Sequence, residues 1–156
     1  MTVFGIKRET IKELFPTPWS LFLFARVAVW TLAAPTLLRV LSLPTLMKIV
    51  TPTTKPGPFQ EEHLSKTDLV STYVDAFLTK WNPEKTDKSC LRRSLVVYRF
   101  ARLDGIPAHF CTGVKKKNGE LKGHAWVEID GLRRYDPLEA EPYHRTFYYP
   151  GVEKEE

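Results

Sequence analysis

The sequence predicts an α+β fold, helices first and an antiparallel sheet after them. Apolar residues recur at helical spacing as far as Asp104-Gly105 and alternate with polar ones beyond it. Two turn dipeptides, Asn118-Gly119 and Asp130-Gly131, punctuate the alternating region as hairpins require. Helices followed by strands give α+β order, since a parallel sheet would interleave the two.

A chain of 156 residues with 43% apolar content is expected to fold as one domain without disulfides or structural metal. The net charge of +5 suits an acidic peptide or an anionic lipid, but lacks the dense basic stripe of a nucleic-acid binder. Cys90 and Cys111 do not make a disulfide framework, and no secretory signal pattern is seen, so a cytoplasmic location is expected.

Residues 19–34, WSLFLFARVAVWTLAA, are apolar nearly all round and read as a helix. Arg26 inside the run and Pro35 after it argue against a membrane span. A second piece continues past Pro35 to Val50, with Arg39 and Lys48 able to snorkel. The expectation is a helical hairpin that packs on the following domain or rests on a membrane or partner. TPTTKPGP, residues 51–58, is a connector that cannot continue a helix. The division expected is therefore 1–58 as apolar helical region and connector, 59–150 as core, and 151–156 as a disordered acidic tail.

Ser65 or Thr67 is expected to cap a helix carrying Leu69, Val70, Tyr73, Phe77 and Leu78. Trp81-Asn82-Pro83 breaks it, and the next helix starts near Thr86 to Ser89, with Leu91, Leu95 and Tyr98 on one face and a left-handed stop at Gly105. A two-residue Asn118-Gly119 turn sets His124 opposite Gly113, Trp126 opposite Cys111 and Glu128 opposite His109. Gly113 would then leave room above the imidazole, and Glu128 would pair with His109.

Cys90 falls in the first turn of its helix, where free N–H groups and the macrodipole favour a thiolate. Arg92 and Arg93 are badly placed for the dipole but suit a neighbouring anion. Composition alone favours an inert, buried cysteine, so a base must be found. Of His63, His109, His124 and His144, His124 sits in a strand of good packers. Asp136 would orient it, with Glu128, Asp130 and Glu139 as rivals. Strand parity bears on that choice. A two-residue Asp130-Gly131 turn would put Asp136 opposite Ala125, on the wrong face, whereas a three-residue loop with a bulge at Gly131 would put it opposite His124. The bulged loop is therefore expected. A metal site of Cys90, Cys111, His109 and His124 is disfavoured because no closely spaced ligand pair anchors it.

CLRRSLVVYRFARLDGIPAHFCTGVK from Cys90, GHAWVEIDG from Gly123, and the following Asp136 resemble the lasso-peptide leader peptidases. These are the transglutaminase-like cysteine protease domain of the lasso-peptide B protein, either fused to a leader-recognition domain or separate from it. The resemblance is close over residues 80–140 and looser in the apolar helices. It implies a transglutaminase-like, papain-like core in which a nucleophile helix packs on an antiparallel sheet. It further implies Cys90 as nucleophile, His124 as base and Asp136 as its acid, with no cofactor and no metal. The implied partners are a ribosomally made precursor peptide, a separate leader-binding protein and an ATP-dependent macrolactam synthetase. The N-terminal part lacks the alternating strands of a leader-recognition module and resembles the split subunit's apolar lead-in. Residue types alone leave open an acyl transferase acting on an amine, or an inactive peptide-binding scaffold. The backbone N–H of Cys90 is one oxyanion donor, and Trp81 or Asn82 is a candidate for the second.

Overall fold

The computed structural model describes residues 15, 17–81, 89–136 and 142–151. Its elements are α1 (Pro18–Val40), α2 (Leu43–Val50), a 3-10 turn (Glu61–His63), α3 (Leu64–Trp81), α4 (Ser89–Leu103), β1 (Ala108–Lys117), β2 (Glu120–Ile129), β3 (Leu132–Arg134) and β4 (His144–Tyr149). The four strands form one sheet in the order β3-β2-β1-β4, every neighbouring pair antiparallel. The α+β prediction holds.

α1 starts in a capping box, with the Thr17 side chain accepting from the Ser20 N–H and the Ser20 side chain accepting from the Thr17 N–H. It then runs through Pro35. A proline inside a helix forfeits one backbone hydrogen bond, and this helix withstands the loss because Leu23, Val27, Thr31 and Ala34 are buried along one side. The break comes at Leu41 and Ser42, where Pro44 falls in the first turn of α2 and its missing N–H costs nothing. α3 also starts earlier than expected. The 3-10 turn leads straight into Leu64, so Ser65 lies in the first turn and Thr67 is buried within the helix.

Two apolar clusters hold the molecule together. In one, Leu46, Met47 and Val50 of α2 meet Leu95, Val97, Tyr98 and Ala101 of α4, and Ala108, Phe110, Ala125, Val127 and Ile129 of the sheet. In the other, Leu23 and Val27 of α1 pack with Val70, Tyr73 and Val74 of α3 and Val96 and Phe100 of α4. α4 serves both clusters and is the central helix. It ends as predicted at a left-handed Gly105, φ 78°, with Ile106 N–H donating to Ala101 C=O.

The β1–β2 register matches the sequence prediction: Gly113 opposite His124, Cys111 opposite Trp126, His109 opposite Glu128. Asn118 and Gly119 both have positive φ, as a type I′ turn demands. β4 was not foreseen in the sequence. It pairs with β1 and slips register between Thr112 and Gly113.

The β2–β3 turn corrects the sequence analysis. Ile129 pairs with Leu132, Glu128 with Arg133 and Val127 with Arg134, so Asp130-Gly131 is a two-residue turn without a bulge. Both of its residues have positive φ, and Asp130 sits exposed at the tip. The change of parity occurs four residues later, at Tyr135, whose φ is 58°. That left-handed residue ends β3 and turns Asp136 back toward His124. Tyr135 is tied down by its hydroxyl, which donates to Asp68 on α3 at 2.7 Å.

Candidate active site

His124, Trp126 and Glu128 share one face of β2, while Ala125, Val127 and Ile129 point into the core. The backbone of β2 alternates as well. In an antiparallel strand the N–H and C=O of one residue face the same neighbour. With Ile129 paired to Leu132 across a two-residue turn, the polar groups of 129, 127 and 125 face the β3 side, and those of 128, 126 and 124 face β1. β3 stops at Val127's partner Arg134, so nothing in the ladder reaches Ala125.

α4 fills that gap. Ser94 Oγ donates to the Ala125 carbonyl at 2.9 Å, and the Cys90 sulfur receives the Ala125 N–H. Cys90 and Ser94 are four apart on a helix and therefore lie on one face. The nucleophile helix thus docks on the hydrogen-bonding edge that a longer β3 would have covered. The Leu91 N–H in the first turn of α4 also points at the sulfur.

The imidazole of His124 is bracketed. Its Nε2 donates to both carboxylate oxygens of Asp136, at 2.8 and 2.9 Å. That leaves Nδ1 for the hydrogen bond with Cys90. All three residues predicted from the sequence therefore converge, and His124 and Asp136 are buried.

Electrostatics follows from this geometry. Burial pushes the Cys90 thiol up, but the hydrogen bond and charge of His124 and the two backbone N–H donors bring it below the ordinary thiol value. Burial acts on His124 in the opposite sense. It depresses the imidazole, yet Asp136 and Cys90 outweigh it and raise His124 to about 9. Both shifts favour thiolate and imidazolium over the neutral pair. Cys111 is the contrast: burial and the Glu128 carboxylate push it up to about 12, so it stays a thiol.

Two side chains that the sequence reading passed over complete the site. Arg133 lies opposite Glu128 on the face of His124, with Nη1 3.6 Å from Asp136 Oδ2 and its guanidinium 4.2 Å from the centre of the Trp126 ring. It sets a positive charge beside the buried carboxylate and covers the indole. Tyr143, just before β4, lays its ring 4.9 Å from the imidazole and 6.3 Å from Trp126. The plain two-residue register was the signal available for Arg133, and the bulged turn expected for Asp136 would have sent it to the core face; Tyr143 follows the stretch 137–141 and no spacing rule reaches across it.

Other expectations change. Gly113 makes room for Trp126 instead of the imidazole, since a Cβ there would meet the indole at 2.8 Å and the His144 carbonyl at 2.7 Å. Glu128 accepts from Trp126 Nε1 at 2.8 Å and from Arg145 at 3.3 Å, while His109 stacks on Tyr148. Arg93 forms an ion pair with Asp75 of α3, so its charge is spent on helix packing. His63 and His144 are exposed at element ends. Among the described residues no three His, Cys, Asp or Glu side chains converge to hold a metal ion. Asn82, Thr86 to Lys88, Pro137, Glu139 and residues 152–156 lie outside the described residues.

A comparison with protein families matches residues 28–147 to the model described as Transglutaminase-like superfamily. The chain belongs to the transglutaminase-like superfamily. The matched span runs from the middle of α1 into β4, so it takes in the helical lead-in as well as the sheet. The superfamily includes cysteine peptidases and acyltransferases and is typically catalytic. Comparisons with curated proteins and with solved structures found no significant match.

Proposed function

We propose that this transglutaminase-like chain is a cysteine peptidase that cuts the leader from a ribosomally made lasso-peptide precursor. The observation that carries the peptidase reading is the bracketed imidazole, with the Cys90 thiol on one nitrogen and the Asp136 carboxylate on the other. The substrate class rests on the resemblance of the Cys90 helix and the GHAWVEIDG strand to leader peptidases. A separate leader-binding protein would deliver the precursor, and an ATP-dependent macrolactam synthetase would take the freed core peptide.

In this mechanism the Cys90 thiolate attacks the scissile carbonyl at the leader–core junction. A C–S bond forms and the carbonyl electron pair moves onto oxygen, where the Cys90 backbone N–H near the start of α4 donates to it. Collapse expels the core peptide's amine, which takes its proton from His124 Nδ1. Water then attacks the thioester with His124 as base, releasing the leader carboxylate and restoring the thiolate. Asp136 keeps the ring's tautomer and orientation throughout.

The test is mass spectrometry of precursor incubated with the chain and a leader-binding partner. Leader and core fragments whose masses sum to the precursor plus one water support the peptidase. An adduct with an added amine would instead show an acyl transferase, and intact precursor a binding scaffold. Cys90→Ala that cleaved as well as the unmodified chain would rule out the mechanism.

A further inference from the structure

α1 has two faces of different fate. Leu23 and Val27 are buried against α3 and α4, and Thr31 and Ala34 are buried further along the same side. On the opposite side Phe22, Ala25, Val29, Leu32, Thr36 and Val40 follow one another at spacings of three and four, all exposed. Phe22 is 62% exposed, Val29 63%, Leu32 59% and Val40 74%, with Trp19 and Leu21 half or more exposed at the start of the helix. That is a continuous apolar stripe on an outer surface, more than scattered surface hydrophobes account for.

Its charges are of one sign. Residues 17–50 contain Arg26, Arg39 and Lys48 and no Asp or Glu. By helical geometry Arg26 and Arg39 lie on the two flanks of the stripe, and the Arg26 guanidinium leans over the rings of Phe22 and Phe100, 5.8 and 5.4 Å from their centres. An apolar stripe bordered by cations matches the boundary between acyl chains and anionic headgroups. A second copy of the chain would set these cations against themselves with no carboxylate on the face to answer them.

We propose that the outer face of α1 docks on an anionic lipid surface and lies in its plane. The helix is long and apolar enough to span a bilayer. Spanning, however, would pull Leu23 and Val27 out of the cluster with Val70, Tyr73, Val74, Val96 and Phe100 and leave those side chains in water. Lying flat keeps the cluster intact and wets only what is already exposed. The proposal is independent of the peptidase reading, because no residue of the Cys90 site takes part.

The test is flotation of the full chain with vesicles of phosphatidylcholine alone or mixed with phosphatidylglycerol. The chain is expected to float with the mixed vesicles and stay behind with the neutral ones. Val29→Ser with Leu32→Ser should cut binding about tenfold. Arg39→Gln should cut it about fivefold, and added salt should mimic it. All three side chains are exposed, so thermal melting should not change and a loss of flotation cannot be misfolding. Flotation with neither vesicle, equal flotation with both, or no effect of the serine variants would overturn the proposal. So would a stable dimer in solution that the serine variants dissociate, which would assign the face to a second copy.

Discussion

At the scale of single residues, the site is a thiol and an imidazole that shift each other's titration. His124 is raised to about 9 by Asp136 and Cys90 despite its burial, and Cys90 is lowered. The reactive ion pair therefore exists between the two titrations. Activity should fall as pH rises through about 9, where the imidazolium is lost, and again on the acid side as the thiolate is protonated. The stability consequence has the same sign for His124. Its folded value exceeds the unfolded one, so its stabilisation is complete below about 6.5 and is lost as pH climbs through about 9. Rate profiles of precursor cleavage and urea titrations across that range measure both. Asp136→Ala should lower kcat/KM by about a thousandfold or more, by analogy with loss of the orienting acid in other triads, and should bring the His124 titration down in NMR. The two thiols should also separate chemically. Iodoacetamide at neutral pH should alkylate Cys90 and spare Cys111, whose thiol is pushed up to about 12, and peptide mass spectrometry would read the difference.

At the scale of elements, the short β3 decides the architecture of the site. A strand two residues longer would occupy the polar edge of Ala125, and neither Cys90 nor Ser94 would dock there. Ser94→Ala strands a buried carbonyl and should destabilise the fold by about 1–3 kcal/mol in urea denaturation. It should also lower kcat, because Ala125 is covalently next to His124. The helices around Leu95 and Tyr98 and the β1–β2 register were legible in the sequence, because periodicity and turn dipeptides act locally, whereas Asp136 was named through the family resemblance and a bulged turn that the structure does not have. The location of the parity change was not legible. Asp130-Gly131 offers the same two letters to a plain turn and to a bulged one, and nothing local marks Tyr135 as left-handed. Its conformation is set by tertiary contact, the hydrogen bond to Asp68 on a helix 67 positions away. Arg93 was misjudged for the same reason, since its partner Asp75 belongs to the preceding helix. β4 stayed hidden because its sequence, HRTFYY, lacks the alternation of a half-buried strand and carries no turn signal of its own.

At the scale of the whole molecule, the apolar helices and the catalytic segment share one interior. Leu46, Met47 and Val50 are fully buried against the central α4, and the same helix reaches back with polar ties. Tyr98 OH meets Thr51 Oγ1 at 2.8 Å, and Arg99 donates to the Val50 carbonyl at 2.8 Å while its guanidinium covers the Trp30 ring at 4.0 Å. Each of the three α2 side chains contributes roughly 2 kcal/mol by burial, so together they approach the ~5–15 kcal/mol by which a domain of this size is stable. Leu23 and Val27 add to that on α1. A chain beginning at residue 51 should therefore lose the cooperative unfolding transition of the full chain, with Leu95, Val97 and Ala101 exposed to solvent. Circular dichroism melts and amide exchange of the truncated and full chains would check this. A truncated chain that kept a sharp transition and protected amides in α4 would mean that the sheet and two helices suffice. The lipid-facing proposal depends on the same sharing of a core, because only a helix anchored along one side is held flat while its other side meets a membrane.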